Sequence, residues 1–179
     1  MNIETKRLVL RSVEPKDARF LADLVNDPDV RNFLGAYSLV FPVSVDMESR
    51  WIETSTKTDD SNMIVTLRDR SVPIGLLSLK DSNQRNSSIH LAIILRKKSW
   101  DKGYGTEAII GVLDLLFDRM NMHRVWLRVA DYNKRAIACY KKCGFKIEGT
   151  LREDHFSGGK WRDSYVMSVL EDDSGRRKS

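Results

Sequence analysis

The stretch that most constrains this chain runs from Ser88 to Val129. Ser88 to Leu95 reads SIHLAIIL, nearly continuous in apolar character, as a strand covered on both faces would be. Residues 96–104 are a loop holding two glycines. From Gly105 to about Met120, apolar side chains fall at Ile109, Val112, Leu113, Leu116, Phe117 and Met120, the spacing of an amphipathic helix. Arg124 to Val129, RVWLRV, reads as a strand again. Strand, loop, helix and strand in that order predict parallel pairing through a right-handed crossover.

The flanks add strands on both sides. Arg7–Val13 alternates enough for a strand, and PKDARFLADLVND after Glu14 reads as a helix with Phe20, Leu21 and Leu24 inward. Residues 31–43 are irregular and aromatic, and a second helix should begin near Ser44. Met63–Leu67 and Ile74–Leu79 are short strands around turn chemistry. Downstream, Asn133 caps a helix to Lys142 that Gly144 ends. Phe145–Leu151 and Trp161–Leu170 then form strands across a turn at residues 157–160. The order implies α/β architecture on one mixed sheet.

Composition narrows the classes. A chain of 179 residues suits one domain, here residues 1–170, with 171–179 expected to be a flexible tail because EDDSGRRKS has nothing apolar to bury. No apolar run nears the roughly 20 residues that span a bilayer, and the N-terminus carries no apolar signal-peptide core. A cytoplasmic protein is expected. A net charge of +5 favours anionic partners, although so small an excess also serves solubility. Cys139 and Cys143 lie one helical turn apart, where a disulfide is awkward, and no Cys/His spacing fits a zinc site, so no metal is expected.

The loop WDKGYGTEAI raises the chemical question. The first turn of a helix leaves amides unpaired, and its dipole favours negative charge. Gly103 and Gly105 let the backbone approach a ligand, and Lys102 adds positive charge. The dinucleotide fingerprint fails, since glycine would be needed at Ala108, and no Walker lysine follows. An anion cradle and a plain helix start both remain open on these residues alone.

The run NKRAIACYKKCGFKIEG, holding Asn133, Ala136, Tyr140, Gly144, Phe145, Glu148 and Gly149, stands downstream of WDKGYGTEA. Together they resemble the GNAT superfamily of acyl-CoA-dependent N-acetyltransferases. The opening TKRLVLR and the ending GGKWRDSYVM are similar to its ribosomal-protein N-terminal and spermidine acetyltransferase branches. The resemblance covers about residues 5–170. It implies an α/β fold of mixed α+β type: one mixed, mostly antiparallel sheet of six to seven strands with helices on both faces. It implies acetyl transfer from acetyl-CoA, as cosubstrate, directly to a primary amine, chiefly a protein or peptide N-terminus, with a polyamine or other small amine as the alternative.

The resemblance also assigns roles. Lys98 through Thr106, with Lys102, Gly103, Tyr104 and Gly105 among them, would bind the coenzyme A pyrophosphate, mainly by backbone N–H groups. Trp100 stands where the family carries Gln or Arg, and Asp101 where glycine is common. Ile93, Ile94 and Leu95 would pair with the pantetheine arm, one amide serving as oxyanion donor. Asn133 and Ala136 match positions near the pantetheine, and Asn133 is also a good helix cap. Tyr140 matches the general acid that protonates the leaving thiolate, against a reading as part of a buried stripe with Ala136, Ile137 and Cys143.

The general base is open among His90, Glu53 and Glu148, with His123 and His155 expected to be structural or exposed. For the acceptor, Phe33, Tyr37, Phe41, Phe156 and Trp161 could supply apolar walls, and Asp27, Asp29, Glu153 and Asp154 a polyamine's carboxylates. The partners expected are acetyl-CoA and an amine, with a second copy of the chain a candidate; neither a membrane nor nucleic acid is expected. A contrasting class, a non-catalytic acyl-CoA- or nucleic-acid-binding regulator, rests only on the basic balance and Trp100.

Overall fold

The apolar run that dominates the sequence becomes a central strand with helices over both faces. The computed structural model describes residues 2–34, 41–55 and 60–174. Its strands are β1 (Ile3–Glu4), β2 (Leu8–Ser12), β3 (Ser61–Leu67), β4 (Pro73–Asn83), β5 (Ser88–Leu95), β6 (Arg124–Ala130), β7 (Lys146–Ser157) and β8 (Lys160–Leu170). They form one sheet in the order β1-β2-β3-β4-β5-β6-β8-β7. Every neighbouring pair is antiparallel except β5 and β6, which are parallel as the crossover requires. The sheet has eight strands where six to seven were expected; the addition is β1, whose two residues carry no periodic signal.

Among the described residues five α-helices cover this sheet: α1 (Ala18–Asn26), α2 (Pro28–Arg31), α3 (Val45–Ser55), α4 (Tyr104–Asp118) and α5 (Lys134–Lys142). Alternation along β5 divides its side chains between two cores. Ile89 and Leu91 join Ile109, Val112, Leu116 and Phe117 of α4 and Ile137 of α5 on one face. Ile94, with Ile64 and Leu76, packs against Phe20, Leu21 and Leu24 of α1 and Ile52 of α3 on the other. Burying each such side chain contributes roughly 1.5–3 kcal/mol, so the interdigitated α4 face is a main anchor of the fold.

Just ahead of the stretch expected to be irregular lies α2, a single turn that ends at that stretch's first residue, Arg31. The Asp27 carboxylate accepts from the Asp29 amide at 2.9 Å and Pro28 fills the first position. At the other end, Asp172–Ser174 form a 3-10 turn in which Asp173 accepts from Lys146 at 2.5 Å. No helix among the described residues is long and apolar enough to cross a membrane.

Candidate active site

Parallel β5 and β6 pair over only three residues, Ser88 with Arg124, Ile89 with Val125 and His90 with Trp126. Beyond His90 the strands part, leaving a V whose arms are 91–95 and 127–130. The Arg96 amide donates to the Ile74 carbonyl of the neighbouring strand at 2.8 Å. Antiparallel alternation therefore turns the backbone groups of Ile94 toward β4, and those of Ile93 and Leu95 into the gap. A cleft of about 700 Å³ fills the V; Ile93, Ile94 and Leu95 line one arm, Arg128, Val129 and Ala130 the other.

At the upper end lies the glycine loop. Gly103 has φ 78° and precedes α4 without any side-chain cap, so the first amides of a 15-residue helix face the cleft with no internal partner. Gly103, Tyr104, Gly105 and Thr106 all line it. Asp101 has φ 58°, the left-handed region that favours glycine, which accounts for the glycine usual there. Glu107 occupies the same first turn, and its charge is answered from outside. Burial pulls its pKa up, but hydrogen bonds from the Thr5 hydroxyl at 2.7 Å, the Arg7 amide at 2.7 Å and the Arg7 guanidinium at 2.6 Å carry it below the ordinary carboxylate value.

The side chains of Lys98 and Lys102 are not among those lining the cleft. Two cations that sequence reasoning missed, Arg135 and Lys142, are. Arg135 lies over the Trp100 ring, 3.3 Å from its centroid, and Trp100 Nε1 donates to the Leu95 carbonyl at 2.7 Å. Trp100 thus brings a guanidinium from α5 to the loop position where a basic side chain is usual. The signal was legible only as the second residue after Asn133. Asn133 caps α5, accepting from the Ala136 amide at 3.2 Å, and both residues line the cleft.

Tyr140 reaches the cleft from α5 while packing on Phe145 at 5.8 Å, so it belongs to the core stripe and to the cleft wall together. Burial, with the two neighbouring thiols, pushes its phenol well above the ordinary value, so it stays protonated. His90 sits where the V opens, 4% exposed, its ring 4.6 Å from Trp126. Its Nδ1 has neither solvent nor a hydrogen-bond partner. Burial, with Lys80 and Arg128 nearby and only Asp81 opposing, lowers its pKa and keeps the imidazole neutral.

The other base candidates resolve differently. Glu148 does not line the cleft; Arg124 and Ser168 bind it, the Arg124 hydrogen bond first among the causes that hold it down to about 2. Glu53 lies on α3 outside the lining. His123 is exposed in a helix–strand turn, as expected. His155 corrects its expectation in part: it is buried but lines the cleft, with Nε2 at 3.3 Å from Tyr132 Oη and Nδ1 at 3.4 Å from Ser164 Oγ.

Phe33 lines the acceptor end with Leu34 and Trp51, but Phe41 is 77% exposed outside the cleft. Phe156 and Trp161 pack on each other at the exposed hairpin tip, 5.6 Å apart, because β7 and β8 run beyond the sheet there. Tyr37 lies outside the described residues. Of the four proposed carboxylates only Asp154 faces the cleft, paired with Arg128. Asp27 caps α2, Asp29 pairs with Lys97 at 2.8 Å, and the Glu153 amide is taken by Asp163. Among the described residues no cluster could hold a metal ion.

The model of the acetyltransferase (GNAT) domain matches residues 7–146. The chain belongs to the GNAT family. It is an acetyl-CoA-dependent N-acetyltransferase, with the mixed, mostly antiparallel sheet of that family. It is 27% identical over 165 residues to the spermidine N(1)-acetyltransferase of Vibrio cholerae, covering 92% of this chain and 94% of that one. The spermidine N(1)-acetyltransferase of Escherichia coli K12 is 26% identical over 162 residues, 90% of this chain and 85% of its own. The crystal structure of the spermidine N-acetyltransferase from Vibrio cholerae with CoA and spermine superposes with a TM-score of 0.85 at 27% identity, covering 95% and 99% of the two chains.

Proposed function

We propose that this GNAT enzyme acetylates a small polyamine of the spermidine type, with Tyr140 and His90 serving the two ends of the proton inventory. The observation that carries the reading is their placement: a protonated phenol and a neutral imidazole line one cleft below an uncapped helix terminus. The cleft's donor set fits coenzyme A, since α4 amides, Arg135 and Lys142 suit phosphates, and the backbone of Ile93 with the Leu95 amide, turned into the gap, suits an amide-bearing arm. Acetyl-CoA supplies the acetyl group as a thioester.

This chain's residues do the rest. His90 accepts the proton lost as the new N–C bond forms, when the nitrogen stops being basic. Tyr140 donates a hydrogen bond to the departing sulfur; its raised pKa suits holding the proton against a thiolate whose own value is near 8.5. An amide of the β5 arm faces the carbonyl oxygen. Supporting a polyamine are the relatives named above and a wall of Phe33, Leu34 and Trp51 beside Asp154, whose two aromatic faces attract ammonium groups, with Tyr132 packed on Phe33 at 6.0 Å. A second reading, an amine that also carries a carboxylate, such as a peptide or amino acid, is favoured by Lys80 and Arg128 at the same end.

Thiol release from acetyl-CoA, measured against spermidine, spermine, free amino acids and short peptides, separates the two. Turnover on polyamines with little on peptides is expected; turnover on peptides alone would overturn the polyamine assignment.

A further inference from the structure

Two thiols stand against the glycine loop, and the transfer reaction uses neither. Cys139 lines the cleft from α5, its Sγ 3.3 Å from Thr106 Oγ1. The same sulfur lies 3.3 Å from where a side chain on Gly105 would begin, so it touches the loop backbone directly. Cys143, one turn on, is 9% exposed, and its thiol faces the Thr106 carbonyl at 3.8 Å. We propose that Cys139 is a modification site, at which a small anionic disulfide forms a mixed disulfide that competes with acetyl-CoA for the cleft. The competition rests on the cofactor reading of that cleft; the reactivity does not.

The chemistry follows from the surroundings. The neighbouring Cys143 thiol, with help from Thr106, Lys142 and Arg135, outweighs burial and lowers the Cys139 thiol below its ordinary value. Cys143 is pushed up by the same contact and by burial, so it stays a thiol. The Cys139 thiolate attacks RS–SR; the new Cys139–S–SR bond forms as the old S–S bond breaks, and RS⁻ departs with the electron pair. The anionic character comes from Arg135, Lys142 and the α4 amides, which draw negative groups to this spot. Cys139 and Cys143 project in parallel from successive turns, so Cys143 is badly placed to displace the adduct, which persists until an external thiol removes it. The attached group then stands where the loop would receive a pyrophosphate.

The test uses 5,5′-dithiobis(2-nitrobenzoate), an anionic disulfide, on the native protein and on Cys139→Ser and Cys143→Ser. Released thiolate gives the rate, and peptide mass mapping gives the site. One adduct at Cys139 is expected, with a rate rising through a midpoint below the ordinary thiol range. Cys139→Ser should abolish the reaction and Cys143→Ser should keep it. Acetyl-CoA at about ten times its Kd should slow labelling roughly tenfold, its own sulfur being blocked. Adducts at Cys143, a midpoint in the ordinary thiol range, or labelling indifferent to acetyl-CoA that demonstrably raises Tm would each overturn the proposal. If acetyl-CoA does not move Tm, the cofactor reading and the competition fail together, while site and midpoint still decide the reactivity of Cys139.

Discussion

A single hydroxyl separates the two roles of Tyr140. Its ring belongs to the core with Phe145, and only the oxygen can serve the leaving sulfur. Tyr140→Phe keeps the ring, so kcat should fall by roughly 10²–10⁴-fold while the KM for acetyl-CoA stays near its original value. Steady-state kinetics with both substrates varied would show it; an unchanged kcat would remove the acid role. His90 makes a different kind of claim. Because its pKa lies below the ordinary imidazole value, the acid limb of kcat/KM should fall below about pH 6.5. In His90→Gln that limb should vanish and turnover of aliphatic amines should drop by roughly 10²-fold or more. An acid limb that survives in His90→Gln would mean that His90 only shapes the cleft.

Elements, rather than residues, decide what the sequence could reveal. The periodic core of α4 and the run of β5 were legible because burial on a helix face or in a covered strand leaves a repeating pattern. So was Asn133, whose cap has a local chemistry. Arg135 was not, since its partner Trp100 lies 35 positions upstream and the stack exists only once α5 is placed beside the loop. Phe156 and Trp161 misled for the converse reason: aromatics in a late hairpin read alike whether the hairpin folds over the cleft or extends away from it. β4 supplies a further prediction. A side chain on Gly75 would run into the Ile94 carbonyl and the Leu95 side chain of the cleft arm. Gly75→Ala should therefore destabilise by roughly 1–3 kcal/mol or more and weaken acetyl-CoA binding together, read by denaturant unfolding and by calorimetry.

At the scale of the molecule, His90 and Glu148 act on the acid side of stability in separate windows, Glu148 alongside other carboxylates held down by partners, Glu107 among them. The folded pKa of His90 lies below its unfolded value near 6.5, so the unfolded chain binds the extra proton first. Stability should begin to fall as pH drops below about 6.5. Glu148, held to about 2 by Arg124, contributes stability that is present above its unfolded value of 4.5 and is lost as pH falls toward about 2. His90→Gln should make only the upper window shallower, and Glu148→Gln only the lower one, in Tm measured against pH. A single slope abolished by either change would contradict the assignment.

The sheet can also be regarded mechanically. Five strands on one side and three on the other share a seam only three residue pairs long, from Ser88 with Arg124 to His90 with Trp126. Past that seam, the side of β5 turned away from β4 has no strand beside it, so a ligand lying along it supplies the missing rungs and stitches the halves together. Acetyl-CoA should then act as a structural component as well as a reagent. At about 100 times its Kd it should add about 2.7 kcal/mol to unfolding. Amides of Ile93 and Leu95, which exchange with solvent readily when the gap is open, should become protected, while those of Ile94, already held by β4, should change little.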